Sequence, residues 1–417
     1  VRDALQRLDD AGYVAYVVGG SVRDFLLKRE SKDHDIATNA TPDQLCELFP
    51  EAVTVGKAFG VLKIPLPPSF KARLQQGKAE FIEIATFRED LEYKDFRRPE
   101  GVRFAGPEED AGRRDFTINA LFYDSKISCI FDPTGGLEDL KNRRIRAIGD
   151  PNKRFREDAL RLLRAIRFVT ALDFTLEEKT EAAIRSCAKL INHVSGERIR
   201  DELTSMWTGS HIADAMIRLS DSGLLRHVLP EVEACRKHDA VWRHILRMLR
   251  FLEKENPVRS ATLSWAAILL DAGRLALSVG LRLKMSREEI DQIVAIVQDQ
   301  LKFKDVFKMR EATLLRFLKQ PHFEELLALH KADALATDGN LAYYEFCSTR
   351  LEMLKRTYPD GLSKFPKLID GKDLIQLGFK PGPEFSEILR EVEDLALERR
   401  LKTKEEALEY VIHHFVQ

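Results

Sequence analysis

Cysteine is scarce and scattered: Cys46, Cys129, Cys187, Cys235 and Cys347 are the only five in 417 residues, and no two form a CxxC pair. This excludes a disulfide-stapled scaffold, argues against structural zinc and fits a reducing, cytoplasmic setting. No apolar run approaches the roughly 18 residues of a membrane span, and no secretory signal is visible, so no membrane partner is expected. The chain opens on Val1 without a methionine, and a few residues are expected to precede it. Net charge is lacking too. Sixty-six Lys and Arg face 67 Asp and Glu, a balance of −1, so whole-chain electrostatics neither favours nor opposes an anionic partner. Neither familiar glycine-rich phosphate loop occurs, GxxxxGK(S/T) or GxGxxG. Internal repeats and low-complexity tracts are also missing.

What remains is a soluble globular composition, 44% hydrophobic and 32% charged, long enough for two to four domains. Charge is concentrated locally. Residues 141–167 hold ten Lys or Arg against three Asp or Glu, a net of +7 that would attract phosphates. Residues 1–12 read as a helix ending at Gly12, Tyr13–Val18 as a strand and Ser21–Lys28 as a helix capped by Ser21. Asp35–Ala37 reads as a second strand, and Thr41-Pro42 opens a further helix. Strands are expected at Val53–Val55, Val61–Ile64, Glu80–Phe87 and Asn119–Tyr123, giving a mixed α/β head. Arg88–Gly112 is polar and aperiodic and reads as a long loop. After Gly149-Asp150-Pro151 nearly everything reads as helix, beginning with Leu160, Leu163, Ile166 and Val169 on one face, with divisions near 205–210 and 355–370.

The chemistry begins at Asp33-His34-Asp35. Side chains two apart on a strand share a face, so the two carboxylates converge on one point. Hard oxygen ligands in that arrangement suit a pair of Mg²⁺ ions, and the implied reaction is an in-line attack on a phosphate. Gly19-Gly20 would let backbone approach a triphosphate closely, and Arg23 at the start of the next helix would clamp its oxygens. A plain strand–turn–helix explains the glycines equally well when taken alone. Glu83, on FIEIATF, offers either a third carboxylate or a solvent-facing strand position. In Arg113-Arg114-Asp115-Phe116, Arg114 would meet a phosphate and Asp115 would organise backbone, with a terminal ion pair as the alternative.

Arg161, Arg164 and Arg167 punctuate an otherwise apolar helix in EDALRLLRAIR (157–167), where an ordinary surface helix would carry a wider polar face. Asp158 and Arg161, three apart, are expected to be neighbours on that helix. An acceptor beside planar donors matches the Watson–Crick edges of cytosine and adenine, each an amino donor beside a ring-nitrogen acceptor. Uracil and guanine would leave buried polar groups unpaired. An intrahelical salt bridge is the bland alternative.

With GGSVRD, DHD, RRDFTINA, DPTGG and EDALRLLRAIR in this order, the chain resembles the class II nucleotidyltransferases, which include tRNA CCA-adding enzymes and bacterial poly(A) polymerases. The resemblance implies an α+β head with a polymerase-β-like nucleotidyltransferase sheet, then an all-α neck, body and tail. The boundaries expected are 1–148, 149–207, 208–360 and 361–417, the last two binding RNA. It implies metal binding at Asp33 and Asp35, by Mg²⁺ or Mn²⁺, and nucleotide contacts at Gly20, Arg23, Arg114, Asp158, Arg161, Arg164 and Arg167. ERIRDEL (197–203) looks like the neck segment, and REDLEYKDFRRP matches the family's flexible loop, whose presence favours incorporation of A. VWRHILRMLRFL and WAAILLDAGR resemble an HD-type phosphohydrolase region in which Leu270-Asp271 replaces the His-Asp dyad; His244 is then expected to be a satisfied core histidine. The function implied is addition of CCA to the 3′ end of tRNA from CTP and ATP, with no DNA partner. A poly(A) polymerase or A-adding enzyme is the alternative within the same chemistry. A phosphohydrolase and a non-catalytic RNA-binding module are the alternatives outside it.

Overall fold

Burial alternates strictly along VLKIP and FIEIAT, placing Leu62, Ile64, Ile82 and Ile84 on one side of a sheet and Lys63 and Glu83 on the other. The computed structural model describes residues 1–31, 34–54, 60–65, 81–91, 101–272, 275–357, 367–398 and 400–415. They form two units, Val1–Ala234 and Cys235–Gln417.

In the first unit the strands are β1 (Ala15–Val18), β2 (Asp35–Thr38), β3 (Val53–Thr54), β4 (Val61–Pro65), β5 (Phe81–Thr86), β6 (Arg88–Asp90), β7 (Val102–Phe104), β8 (Phe122–Asp124) and β9 (Cys129–Phe131), with a short parallel pair at Arg144–Ile145 and Thr175–Leu176. Seven of them make one sheet in the order β3-β4-β5-β2-β1-β8-β9. Within this sheet only β2 and β5 run parallel, with Asp35 beside Glu83 and Ile36 beside Ile84. On one face Ile36, Leu62 and Ile84 pack with Leu8, Leu45 and Phe49 from the two flanking helices; on the other, Val18 and Ala37 pack with Phe87, Phe122 and Ile148. Each fully buried aliphatic side chain contributes about 1.5–3 kcal/mol. The helix Pro42–Leu48 starts as expected, with a Thr41/Gln44 capping box and proline in its first turn.

Four local expectations are corrected. The helix after β1 runs Gly20–Leu26 and is capped by Gly19 at φ 72°, while Ser21 lies buried inside it. The stretch read as a loop holds an antiparallel pair, β6 with β7, and a helix at Pro107–Gly112; residues 92–100 lie outside the described set. Its two strands are joined by the backbone ladder and by the Ala105 amide to the Phe87 carbonyl at 3.1 Å, with exposed charge pairs such as Arg103–Glu89 at 2.5 Å across it, so no apolar periodicity marks it. The strand expected at Asn119 begins only at Phe122, because Thr117–Asn119 is a 3₁₀ turn. The helix expected to carry both Asp158 and Arg161 is broken. One helix ends at Glu157, Asp158 is extended (φ −140°, ψ 105°), and the next helix spans Arg161–Leu172.

The second unit is helical. Asp239–Glu255 packs with Phe323–Thr337, and near the end of the chain Ile369, Leu374, Ile388, Val392, Ala407 and Val411 form a separate core. His244 is satisfied, though only half-buried, through Nε2 to Asp333 Oδ1 at 2.9 Å. No helix among the described residues is long and apolar enough to cross a membrane.

Candidate active site

Gly19 ends β1 in a backbone region that only glycine adopts freely, and a β-carbon there would sit 3.1 Å from Arg114 Nη1 and 4.0 Å from Asp35 Oδ2. The bare turn thus brings strand, arginine and carboxylate together. Asp35 opens β2, paired with Val18 on one side and Glu83 on the other. Glu83 itself is held by Lys63 at 2.8 Å. Asp33 lies outside the described residues, so its place relative to Asp35 is left as an expectation.

One turn along the helix after Gly19, Arg23 is buried, and its Nη1 donates to Asn119 Oδ1 at 2.7 Å. Asn119 is held in turn by Asp115, which accepts from Asn119 Nδ2 at 3.0 Å, from the Phe116 amide at 2.7 Å and from Arg164 Nη2 at 2.6 Å. Burial would raise the Asp115 pKa, but Arg164 and the Asn119 hydrogen bond outweigh it and hold the group far below the usual carboxylate range. Asp115 therefore does more than organise backbone: it joins the RRDFTINA segment to the arginine helix.

On that helix, Arg167 Nε donates to Glu202 Oε2 at 2.6 Å, and Arg164 Nη1 approaches Glu202 Oε1 at 3.6 Å. The ring of Phe168 lies under three guanidiniums, those of Arg167 (4.3 Å), Arg23 (5.1 Å) and Arg164 (5.3 Å). The side chains of Asp158 and Arg161 do not bond each other; only the Arg161 amide reaches the Asp158 carbonyl, at 3.1 Å. Asp158 takes a fork from Arg198 at 2.8 and 3.2 Å, while Arg161 donates to Glu157 at 2.9 Å and to the Arg113 carbonyl at 2.9 Å. The break after Glu157 separates them.

The eight described residues singled out by sequence for metal and nucleotide binding (Gly20, Arg23, Asp35, Arg114, Asp158, Arg161, Arg164 and Arg167) nevertheless line a single cavity of about 530 Å³. Seven arginines and three aspartates in its wall leave a surplus of four positive charges. A larger hollow of about 910 Å³ shares only Arg113 with it. The cavity is too polar for an apolar ligand and suits a multiply charged anion. Sequence reasoning missed Arg198, Asn119 and Phe168 in this wall and Glu202 behind it. Arg198 and Glu202 are four apart in the ERIRDEL segment and so share a helix face, a signal visible in the sequence without its target.

Family profiles match in the same order: the poly A polymerase head domain over residues 15–146, an RNA and SrmB-binding site of polymerase A over 173–236, and tRNA nucleotidyltransferase domain 2 over 257–412. A CCA-adding enzyme of Lactobacillus helveticus is 36% identical over 97% of this chain and 94% of its own length. The chain belongs to the CCA-adding enzyme family. Its relative from Lactococcus lactis subsp. cremoris is 33% identical over 97% of this chain and 93% of its own. Among solved structures, the Bacillus stearothermophilus CCA-adding enzyme in complex with CTP superposes with a TM-score of 0.76 at 29% identity, covering 98% of this chain and 95% of that one. The family's mixed sheet followed by helices is the fold described above.

Proposed function

We propose that the arginine-walled cavity receives CTP or ATP and that the chain adds CCA to the 3′ end of tRNA without a nucleic-acid template. The observation that carries this reading is the convergence of eight sequence-predicted residues, spread from position 20 to 167, on one cationic hollow in a CCA-adding family member. The RNA 3′-hydroxyl attacks the α-phosphate, the bond to the β-phosphate breaks, and pyrophosphate leaves. Arg23 and Arg114 hold the triphosphate beside the Gly19-Gly20 turn. Asp158 and Arg161, at the broken helix junction, contact the base, each presented from its own element. Arg164 and Arg167 complete the wall around the sugar and phosphates.

Asp35 gives the cavity a hard oxygen donor beside its guanidiniums, which fits a divalent cation in company with phosphate. Asp33 and Asp35 would hold Mg²⁺ or Mn²⁺, which when bound offsets phosphate charge and lowers the pKa of the attacking hydroxyl. The four-part division at 148, 207 and 360 belongs to this reading, with the helical remainder gripping the acceptor arm of tRNA by shape and backbone contacts.

Incubation with tRNA lacking CCA, and with each nucleotide alone or combined, tests the proposal. Addition that stops after three residues supports it. Long A tails on unrelated RNAs would favour the poly(A) polymerase reading that the head-domain profile also allows. Asp35→Ala is expected to lower incorporation by about three orders of magnitude while tRNA affinity holds; undiminished activity would remove Asp35 from the mechanism.

A further inference from the structure

Asp110 is a carboxylate with almost no access to water: it is 1% exposed on the short helix Pro107–Gly112. Neither of its oxygens is idle. Oδ1 accepts from Arg113 Nε at 2.9 Å and Nη2 at 2.7 Å, and from the Arg88 amide at 3.4 Å. Oδ2 accepts from Arg114 Nη2 at 2.9 Å and Nε at 3.3 Å. Burial alone would raise its pKa, but Arg114 and Arg113 outweigh this and keep it charged below the ordinary carboxylate range.

The consequence falls on Arg114. Its Nη1 donates to the Asn119 carbonyl at 3.4 Å, and its guanidinium lies over the Phe122 ring at 5.2 Å. All three nitrogens and one face of the group are thereby fixed, with Nη1 standing against Gly19 in the cavity wall. Asp110 itself is not part of that wall. An unrestrained arginine loses much rotamer freedom when it grips an anion, whereas one already held in its bound pose does not. The arrangement gives up some positive potential and gains geometry.

We propose that Asp110 is a positioning residue for nucleotide binding, holding Arg114 in the pose that meets the triphosphate. This rests on the reading of Arg114 as a triphosphate contact. Nothing about the base is involved, so CTP and ATP are affected alike.

The test uses the full chain, with CTP and ATP addition to tRNA measured at steady state for Asp110→Asn, Arg114→Ala and the double variant. Asp110→Asn keeps the shape, removes the charge and turns an N–H toward one arginine. KM for both nucleotides is expected to rise about tenfold with kcat little changed. In the Arg114→Ala background the same change is expected to add nothing, whereas a merely structural role would add its own effect in both backgrounds. A KM that rises in Arg114→Ala but not in Asp110→Asn overturns the proposal and leaves the triphosphate reading standing. A flat KM in Arg114→Ala overturns that reading itself. If Asp110→Asn does not fold, Asp110→Glu keeps the charge but displaces the oxygens by a methylene, and the same rise in KM is expected. Failure of both to fold assigns Asp110 to stability alone and overturns the proposal.

Discussion

Asp158 shows what single residues disclose and what they hide. Its acidity and its place before three arginines mark it for chemistry in the sequence alone, yet its partner is Arg198, forty positions away, rather than Arg161. Pair rules built on helix spacing fail wherever the helix stops, and nothing in EDALR announces the stop after Glu157. Arg198→Ala would leave Asp158 without its fork; kcat/KM for CTP and ATP is expected to fall about tenfold, or about 1.4 kcal/mol, with UTP misincorporation rising in a single-nucleotide addition assay. His244 gives a second expectation at this scale. The hydrogen bond it donates to Asp333 outweighs burial and raises its pKa above 6.5. The stabilisation this represents is complete below pH 6.5 and is lost as pH rises through the folded value. Thermal unfolding of the full chain between pH 5.5 and 8.5 should therefore show a decline in the helical unit that His244→Gln flattens.

Elements were legible where one face is buried and illegible where short strands pair mainly through their backbones. The period of two in β4 and β5, and the proline-and-cap start at Thr41, carry their structure openly. The β6–β7 pair sets Arg88, Glu89 and Asp90 against Phe104, Arg103 and Val102, too short a run for a period of two to show. The turn Asp132-Pro-Thr-Gly-Gly is intermediate. Its glycines are conspicuous, but their reason is tertiary: a β-carbon on Gly136 would lie 2.2 Å from the Thr117 carbonyl oxygen. Asp132 fastens the turn by accepting from the amides of Gly136 and Leu137, each at 2.8 Å. Gly136→Ala must push the turn off the 3₁₀ segment that presents Asn119. A loss of about 1–3 kcal/mol is expected in chemical unfolding, together with weaker CTP binding by calorimetry. Wild-type stability and binding in that variant would show that the two segments are independent.

At the scale of the molecule, motif order carried the fold class and the family, because five short segments in sequence constrain a topology that no one of them does. The division into units was less readable: the chain separates at Ala234, inside Pro230-Glu-Val-Glu-Ala-Cys-Arg-Lys237, whose proline and charges resemble those of many helix ends elsewhere in the chain. A fragment of residues 1–234 is expected to bind CTP and ATP with near-intact affinity and to lose most of its affinity for tRNA, as read by calorimetry and fluorescence anisotropy. Retained tRNA binding would place the main RNA contacts in the first unit, where the RNA-binding-site profile over 173–236 lies almost entirely.

The surplus charge of the cavity wall has a last consequence. The wall's arginines outnumber its aspartates by four, and Asp110, Glu157 and Glu202 offset part of that charge from behind, so the cavity holds charge for one nucleoside triphosphate and not for two anions together. Substrate and released pyrophosphate would then occupy the same guanidiniums by turns, so by-product accumulating in solution should slow the enzyme as a competitor of the incoming nucleotide and not of the RNA.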